Sequence, residues 1–398
     1  MPRRPTTNSK SSVREVDRKQ FRYAVFAGGC RNSRQPCRTE TLEAIITVIR
    51  GRYCSASSKH FADMDALTTN GIGTRAMNLV RQTSVMTALA SVGGLWGAYQ
   101  LQKLASVVYL HFLRPCSIDQ YAKGSTSTWA LVTGSSDGIG KGFAEELCQR
   151  GFNVVLHGRN QTKLQAVKTQ LLEKWPQREI RILVLDALTG VRSAADLQEA
   201  ANQLEDLNLK ILVNNIGGSG GLKPAWLPLA QRKPEDTSLF LDLNAAFPTE
   251  ITRVLLPQLI RNGPALILSV GSVCGEVASP YASVYAGAKA YNKAWSRSLS
   301  LEMVAEGHNV EVLNILVGEV SSGSQPQELN FFCPSSRRMA KASLDKVGCG
   351  KDVVWAYWPH QLQFGTILKL PRAIMNRMIL SMVLEEKAKE ENGMKKKP

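Results

Sequence analysis

The stretch WALVTGSSDGIGKGFAEEL, residues 129–147, decides the fold. Four apolar residues in a row read as a buried strand, the glycine-rich run from Thr133 to Gly140 as a tight turn, and KGFAEELCQRG as a helix that follows at once. A glycine pattern alone is weak evidence. Here a strand precedes it and a helix follows, so the turn has no side chains to block a pyrophosphate, and the helix N-terminus offers free N–H groups to anionic oxygen. Gly134, Ser135, Asp137, Gly138, Ile139 and Gly140 are therefore the candidate residues for holding a dinucleotide.

The pattern repeats downstream of that strand. NVVLHG, IRILVLD, LKILVNN, ALILSVGS and VEVLNILVG are short β-rich runs separated by amphipathic stretches of helical length. Such alternation predicts a parallel sheet with crossover helices, an α/β class domain over residues 120–360. The second run ends His157-Gly158-Arg159, where a site preferring NAD places a carboxylate for the ribose 2′-hydroxyl. Arg159 can pair instead with a 2′-phosphate, helped by Ser135, so NADP(H) is the expected cofactor.

Tyr285 and Lys289 stand four residues apart, one turn apart on a single helix face, and Ser272 lies thirteen residues before the tyrosine, after ALILSVG. A phenol is a poor acid or base at neutral pH, and an adjacent ammonium is expected to lower its pKa. Taken with the glycine turn, this spacing resembles the short-chain dehydrogenase/reductase family over about residues 120–370. The resemblance implies a doubly wound, Rossmann-like domain with a mainly parallel seven-stranded sheet, and a catalytic tetrad of Asn244, Ser272, Tyr285 and Lys289. It further implies a place near adenine for Asp186, a strand-stabilising NNxG at Asn214-Asn215-Ile216-Gly217, and cofactor contacts from Asn214, Tyr285, Lys289, Val320 and Ser322. Asn244 is expected to position a water for proton relay. One departure stands out: the family's Pro-Gly after the sixth strand is here Val317-Gly318.

Within the family the chain resembles the membrane-associated branch of very-long-chain 3-oxoacyl-CoA reductases and 17β-hydroxysteroid dehydrogenases, through HFLRP, CPSSRRMAKASLDKVG and YWPHQLQ. The resemblance implies NADPH-dependent reduction of a hydrophobic carbonyl: a 3-oxoacyl-CoA in fatty-acid elongation, a steroid-like ketone, or an intermediate of specialised metabolism. It leaves room for a homo-oligomer. A reading of another class, an inactive cofactor-binding or scaffold protein, runs against the intact tetrad. The loops at 215–242 and 321–333 follow strand ends and are expected to line the substrate cleft, with Trp226, Leu227, Phe331 and Phe332 as candidate contacts.

The chain has 398 residues, 44% hydrophobic and 21% charged, a composition that can bury a core. Much of its +16 charge sits in the N-terminal stretch and in Lys395, Lys396 and Lys397. No helix-turn-helix signature or basic run interleaved with aromatics points to nucleic acid, and no ligand spacing points to a metal. Anionic lipid or acyl-CoA fits the charge better. Eight scattered cysteines without CxxC spacing read as reduced thiols.

Residues 1–76 are rich in Arg, Ser and Thr and carry no compact pattern; they read as a disordered extension, a start placed upstream of Met77 or Met86, or a targeting segment. Residues 84–114 form an apolar, membrane-associating segment. Seventeen helical residues give about 26 Å, just short of the roughly 30 Å hydrocarbon layer, so one span, an in-plane anchor and a packed hairpin are all open. Residues 361–398 read as an amphipathic region with a basic tail. Lysines at the fourth and third positions from the end resemble a dilysine retrieval signal, which places the enzyme on the endoplasmic reticulum facing the cytosol, with mitochondrial or soluble locations as alternatives.

Overall fold

In the computed structural model, residues 71–122, 127–323 and 326–395 are described. The expectations for the extension up to residue 70 and for Lys396 and Lys397 lie outside them. The chain divides into two units between Leu95 and Trp96, inside the helix α1 (Gly71–Val108).

The second unit is built on a seven-stranded, all-parallel sheet in the order β3-β2-β1-β4-β5-β6-β7. The strands are β1 (Trp129–Val132), β2 (Asn153–Gly158), β3 (Ile180–Val184), β4 (Leu209–Asn214), β5 (Ala265–Val270), β6 (Val310–Leu316) and β7 (Val353–Trp355). The six quoted runs each contain one of the first six strands. The seventh is only three residues long, too short for a periodicity to show in sequence. The helices are α2 (Gly138–Gln149), α3 (Gln161–Lys174), α4 (Ala194–Asn202), α5 (Pro234–Leu241), α6 (Phe247–Arg261), α7 (Ser283–Ala305), α8 (Ser336–Leu344), α9 (Trp358–Ile367) and α10 (Arg372–Lys395).

A parallel strand covered on both faces is mostly apolar along its whole length, and β1, β2, β4 and β5 are buried at every position, while the edge strand β3 is exposed at Arg181 and Val184. β1 illustrates the division. Ala130 and Val132 enter one core layer with Phe143 and Leu147 of α2, Leu164 of α3 and Met339 of α8. Trp129 and Leu131 enter the other with Leu197 of α4, Phe247 and Ile251 of α6 and Met303 of α7. The chain winds outward from β1 to β3, then returns to lay β4 beside β1, in register Leu131 with Leu212. At that switch the loops after β1 and β4 diverge and leave a crevice at the strands' C-terminal ends, where a parallel sheet binds its ligands.

Past α1 the chain makes a π-helical turn, Tyr109–Leu113, and then docks on the sheet domain. The Leu110 carbonyl accepts from Lys346 Nζ (3.1 Å), and Arg114 donates to the Val347 carbonyl (2.6 Å). Ile118 and Tyr121 are buried, so the packed domain starts before residue 120. The Trp96–Val108 part of α1 remains open, with Leu101 and Leu104 exposed. Among the described residues no helix is long and apolar enough to cross a membrane. Polar residues recur along it, from Arg81 and Gln82 to Gln100, Gln102 and Lys103, and break up its apolar run.

Candidate active site

The glycine turn is close-packed backbone. Gly134 takes φ +67°, and a Cβ there would lie 2.8 Å from Ile216 Cγ1. A Cβ on Gly140 would come within 2.5 Å of Asn215 Nδ2 and nearer still to the Gly134 carbonyl. Only glycine allows α2 to begin this close to β1 and β4. Asp137 caps α2 by accepting from Gly138 N (2.6 Å), and Ile139 packs on the core behind. The cradle thus presents backbone N–H groups, which suits a pyrophosphate.

Ser135 faces inward. Its hydroxyl accepts from His157 N (2.9 Å), and its own N–H donates to the His157 carbonyl (3.0 Å). The turn is therefore stitched to β2, and the help expected of the Ser135 hydroxyl toward a 2′-phosphate is replaced by this structural bond. Under it lies His157, a residue the sequence reading passed over as the end of a strand. Its ring stacks on Phe247, with centroids 5.4 Å apart, and its Nδ1 accepts from Gly134 N (3.4 Å). Burial holds its pKa down at about 4, so the ring is neutral.

Arg159 leaves β2 as an exposed side chain, 67% accessible, with Asp186 Oδ2 3.9 Å from its guanidinium. Asp186 also caps the helical turn Ala187–Gly190 by accepting from Leu188 N (2.9 Å). The Asn214 amide donates to Thr252 Oγ1 (2.8 Å), away from the glycine turn. It is Asn215 that reaches the turn, donating to the carbonyls of Thr133 (3.0 Å) and Gly134 (3.3 Å).

The tetrad converges at the ends of β4 and β5. Ser272 follows β5 and accepts from Cys274 N (3.2 Å), and its hydroxyl lies near enough to the Tyr285 phenol to pull the phenol's pKa down. Tyr285 and Lys289 share a face of α7, with Lys289 Nζ 5.8 Å from the phenol ring's centroid. Lys289 donates to the Val270 carbonyl (3.0 Å). Burial, with the neighbouring Cys274, raises the Tyr285 pKa rather than lowering it, and burial pulls Lys289 down to about 8. The ammonium expected to favour the phenolate is itself desolvated.

Asn244 lies in a π-helical turn, Asp242–Ala246, between α5 and α6. Its Oδ1 accepts from Gly218 N (2.8 Å), and its Nδ2 donates to the carbonyls of Gly218 (2.9 Å) and Phe240 (3.0 Å). Its main-chain carbonyl accepts from Asn292 Nδ2 (2.6 Å). The side chain thereby clamps the loop leaving β4. Gly217, read only as part of NNxG, proves essential to the geometry: a Cβ there would lie 2.7 Å from Asn244 Oδ1 and 2.9 Å from Lys289 Nζ.

The loop after β6 leans over the glycine turn. A Cβ on Gly138 would lie 3.3 Å from Ser322 Cβ, and one on Gly323 would collide with the Asp137 carboxylate. Val320 is buried beneath this crossing. Of the residues expected to contact substrate, Trp226 and Leu227 are half-buried while Phe331 and Phe332 are exposed. α10 reaches the same rim: the Glu390 carboxylate accepts from the N–H groups of Ala225 (2.8 Å) and Trp226 (3.2 Å), and Lys387 Nζ lies 5.5 Å from the Tyr281 ring centroid. Arg232 donates to the carbonyls of Ala225 (2.5 Å) and Tyr281 (3.1 Å). The contribution of α10 has no sequence signal, because it depends on where a terminal helix lands. Among the described residues, no cluster of His, Cys, Asp or Glu is arranged to hold a metal ion, and Cys116, Cys148, Cys274, Cys333 and Cys349 form no disulfide.

The short chain dehydrogenase family model matches residues 128–330. A very-long-chain 3-oxoacyl-CoA reductase of Pyricularia oryzae is 32% identical over 299 residues, 74% of this chain and 86% of that protein. A protein of the same description from Caenorhabditis elegans is 31% identical over 302 residues, 76% of this chain and 92% of its own. A solved short-chain dehydrogenase from Pseudomonas syringae shares the fold, with a TM-score of 0.54, 24% identity, and coverage of 62% of this chain and 100% of its own. With the glycine cradle at the switch point and Ser272, Tyr285 and Lys289 brought together beside Asn244, these likenesses establish that the chain belongs to the short-chain dehydrogenase family, an oxidoreductase of the branch that holds very-long-chain 3-oxoacyl-CoA reductases and steroid dehydrogenases.

Proposed function

We propose that this chain is an NADPH-dependent ketoreductase acting on a hydrophobic 3-oxoacyl-CoA in fatty-acid elongation. The observation that carries the reading is the cluster of a half-buried Tyr285 with the buried Ser272 and Lys289, the lysine on the same helix face as the phenol. The names of the relatives support the substrate class.

The chain's residues fit a nicotinamide dinucleotide: a backbone cradle that a single Cβ would fill, and an exposed Arg159 at the end of β2. When bound, the reduced nicotinamide supplies the hydride that becomes the new C–H bond. Ser272 and Tyr285 hydrogen-bond the carbonyl oxygen between them and thereby polarise it. Tyr285 delivers its proton to that oxygen as negative charge develops there. Its raised pKa keeps the proton on the phenol at neutral pH, the state a donor needs. Lys289, below its pKa of about 8 at neutral pH, places a positive charge beside the phenol and favours the loss of that proton. Asn244 keeps the Gly217–Gly218 turn against this cluster.

Arg159 supports NADPH over NADH, since its guanidinium is 67% exposed and, among the described residues, is held only by a 3.9 Å pairing with Asp186. The test is NADPH consumption by the full chain on a panel of long-chain 3-oxoacyl-CoAs, steroid ketones and short ketones. Saturable oxidation with the first is expected, and none with any ketone rejects the reading. Arg159→Asp should weaken NADPH by roughly 10- to 100-fold, the worth of one charge-assisted hydrogen bond, and NADH little. Equal losses for both would reject the cofactor assignment.

A further inference from the structure

His360 lies outside the tetrad, within the YWPHQLQ stretch quoted above, and both of its ring nitrogens are hydrogen-bonded. It is fully buried at the start of α9. Its Nδ1 accepts from Gly318 N (3.1 Å), and its Nε2–H points to the carbonyls of Glu319 (3.1 Å) and Phe332 (2.8 Å). Both nitrogens are used, and the neutral ring with its proton on Nε2 is the one form that satisfies all three groups. The Tyr357 and Phe364 rings flank it edge-on, with centroids 5.1 Å and 6.3 Å away. Gly318 has no room for a side chain, because a Cβ would lie 2.7 Å from Phe364 Cε2 and 3.0 Å from His360 Cδ2.

The three backbone groups belong to the two ends of the β6–α8 loop. One end, Gly318–Glu319, runs into Val320 and Ser322, which cross the glycine turn; the other, Phe332, is at the substrate rim. One residue upstream of Gly318, the Val317 carbonyl accepts from Val273 N (2.9 Å), the neighbour of Ser272. Where the family's Pro-Gly would stiffen this turn by fixing a backbone angle, Val317-Gly318 leaves it freer, and the ring supplies the constraint from outside.

We infer that His360 is a positioning residue of the reductase, pinning both ends of the β6–α8 loop so that the cofactor-facing turn, the substrate rim and the Ser272 turn keep one spacing. The inference rests on the ketoreductase reading for its kinetic consequence. His360→Leu removes all three bonds to the loop's backbone groups. His360→Gln retains one acceptor and one donor and can restore part of the set.

The experiment compares wild type, H360L and H360Q for kcat and KM with the best ketone of the panel, per folded molecule, together with NADPH affinity from quenching of tryptophan fluorescence. H360L should lose roughly tenfold or more in kcat/KM and bind NADPH more weakly, and H360Q should recover most of both. A merely structural role predicts a lower melting temperature with unchanged kcat and KM in the folded fraction, and that result overturns the inference, as does an H360Q as impaired as H360L. If H360L yields no folded protein, Tyr357→Phe takes its place: it removes the hydroxyl's bond to the Phe331 carbonyl (3.2 Å) in the same loop. It should raise KM about threefold, as expected for one lost hydrogen bond, and wild-type KM would count against the pin. A wild type that reduces no ketone rejects the functional reading instead, while the NADPH affinities still decide the role of His360.

Discussion

Two tyrosines four residues apart are treated very differently by the fold. Tyr285 is set against Ser272 and Lys289; Tyr281 sits in the left-handed region at φ +63°, its carbonyl held by Arg232 and its ring beneath Lys387. Tyr285→Phe preserves the ring and removes the proton donor, so turnover should fall by about 10²–10⁴-fold with NADPH affinity nearly unchanged. Tyr281→Phe should leave turnover within about twofold, since its hydroxyl has no part in the proposed chemistry. Steady-state rates of the pair decide the assignment, and a dead Tyr281 variant would reverse it. His157 allows a test on stability. Its folded pKa of about 4 lies below the ordinary value of 6.5, so above pH 6.5 the ring is neutral folded or unfolded and contributes no pH dependence. Between about 6.5 and 4 the unfolded chain binds a proton that the folded one refuses, and stability falls with pH, by about 3 kcal/mol in all for such a shift. His157→Asn should flatten that part of the unfolding free-energy curve against pH; a curve parallel to wild type would refute the buried neutral ring.

Among the elements, α10 has the least conventional position. It runs past the substrate side, where Glu390 takes up two consecutive N–H groups of the β4–α5 loop and Ile379 and Val383 are buried. Glu390→Ala would release Ala225 and Trp226 and loosen the rim. KM for the ketone should rise roughly three- to tenfold, with a stability loss of about 1 kcal/mol, while NADPH affinity stays constant because the glycine turn is untouched. Kinetics on a long and a short ketone would check this, and a loss confined to NADPH affinity would contradict it. Elements with a strong local signal behaved differently: β1, the glycine turn and α2 follow one another as their residues dictate. Asp137 caps the helix, and the glycines clear the approach.

At the scale of the whole molecule, the membrane is the open relationship. α1 exposes Leu89, Val92 and Leu95 in the first unit, and Leu101, Leu104 and Phe112 are exposed in the second. In water such a surface is costly, at about 25 cal/mol per Å² of apolar area. We propose that the exposed apolar residues of the second unit, Leu101, Leu104 and Phe112, lie in the plane of a bilayer, and that the chain is held at the endoplasmic reticulum facing the cytosol. The full chain should co-sediment with liposomes, more strongly when they carry anionic lipid, and a tagged protein should fractionate with that membrane. Recovery in the soluble fraction or in mitochondria would dismiss the proposal.

The sheet, its parallel sense, the glycine turn and the pairing of Tyr285 with Lys289 on one helix face were legible in the residues alone, because each depends on local chemistry: apolar runs, a turn without side chains, and two side chains one helical turn apart; Asn244 was implied only by the family resemblance. The tertiary structure decided what depends on burial and on long-range approach. Whether Lys289 lowers the Tyr285 pKa cannot be read from a four-residue spacing, since desolvation of both groups reverses the expected shift. That Asn244 clamps Gly218, that Ser135 turns inward to His157 and that Asn215 rather than Asn214 grips the glycine turn are choices between nearby partners made by packing. β7 and Glu390 carried no signal, and His360 stood in the quoted YWPHQLQ stretch with nothing to mark its role. Their partners lie in distant parts of the chain, and only the folded sheet brings those parts together.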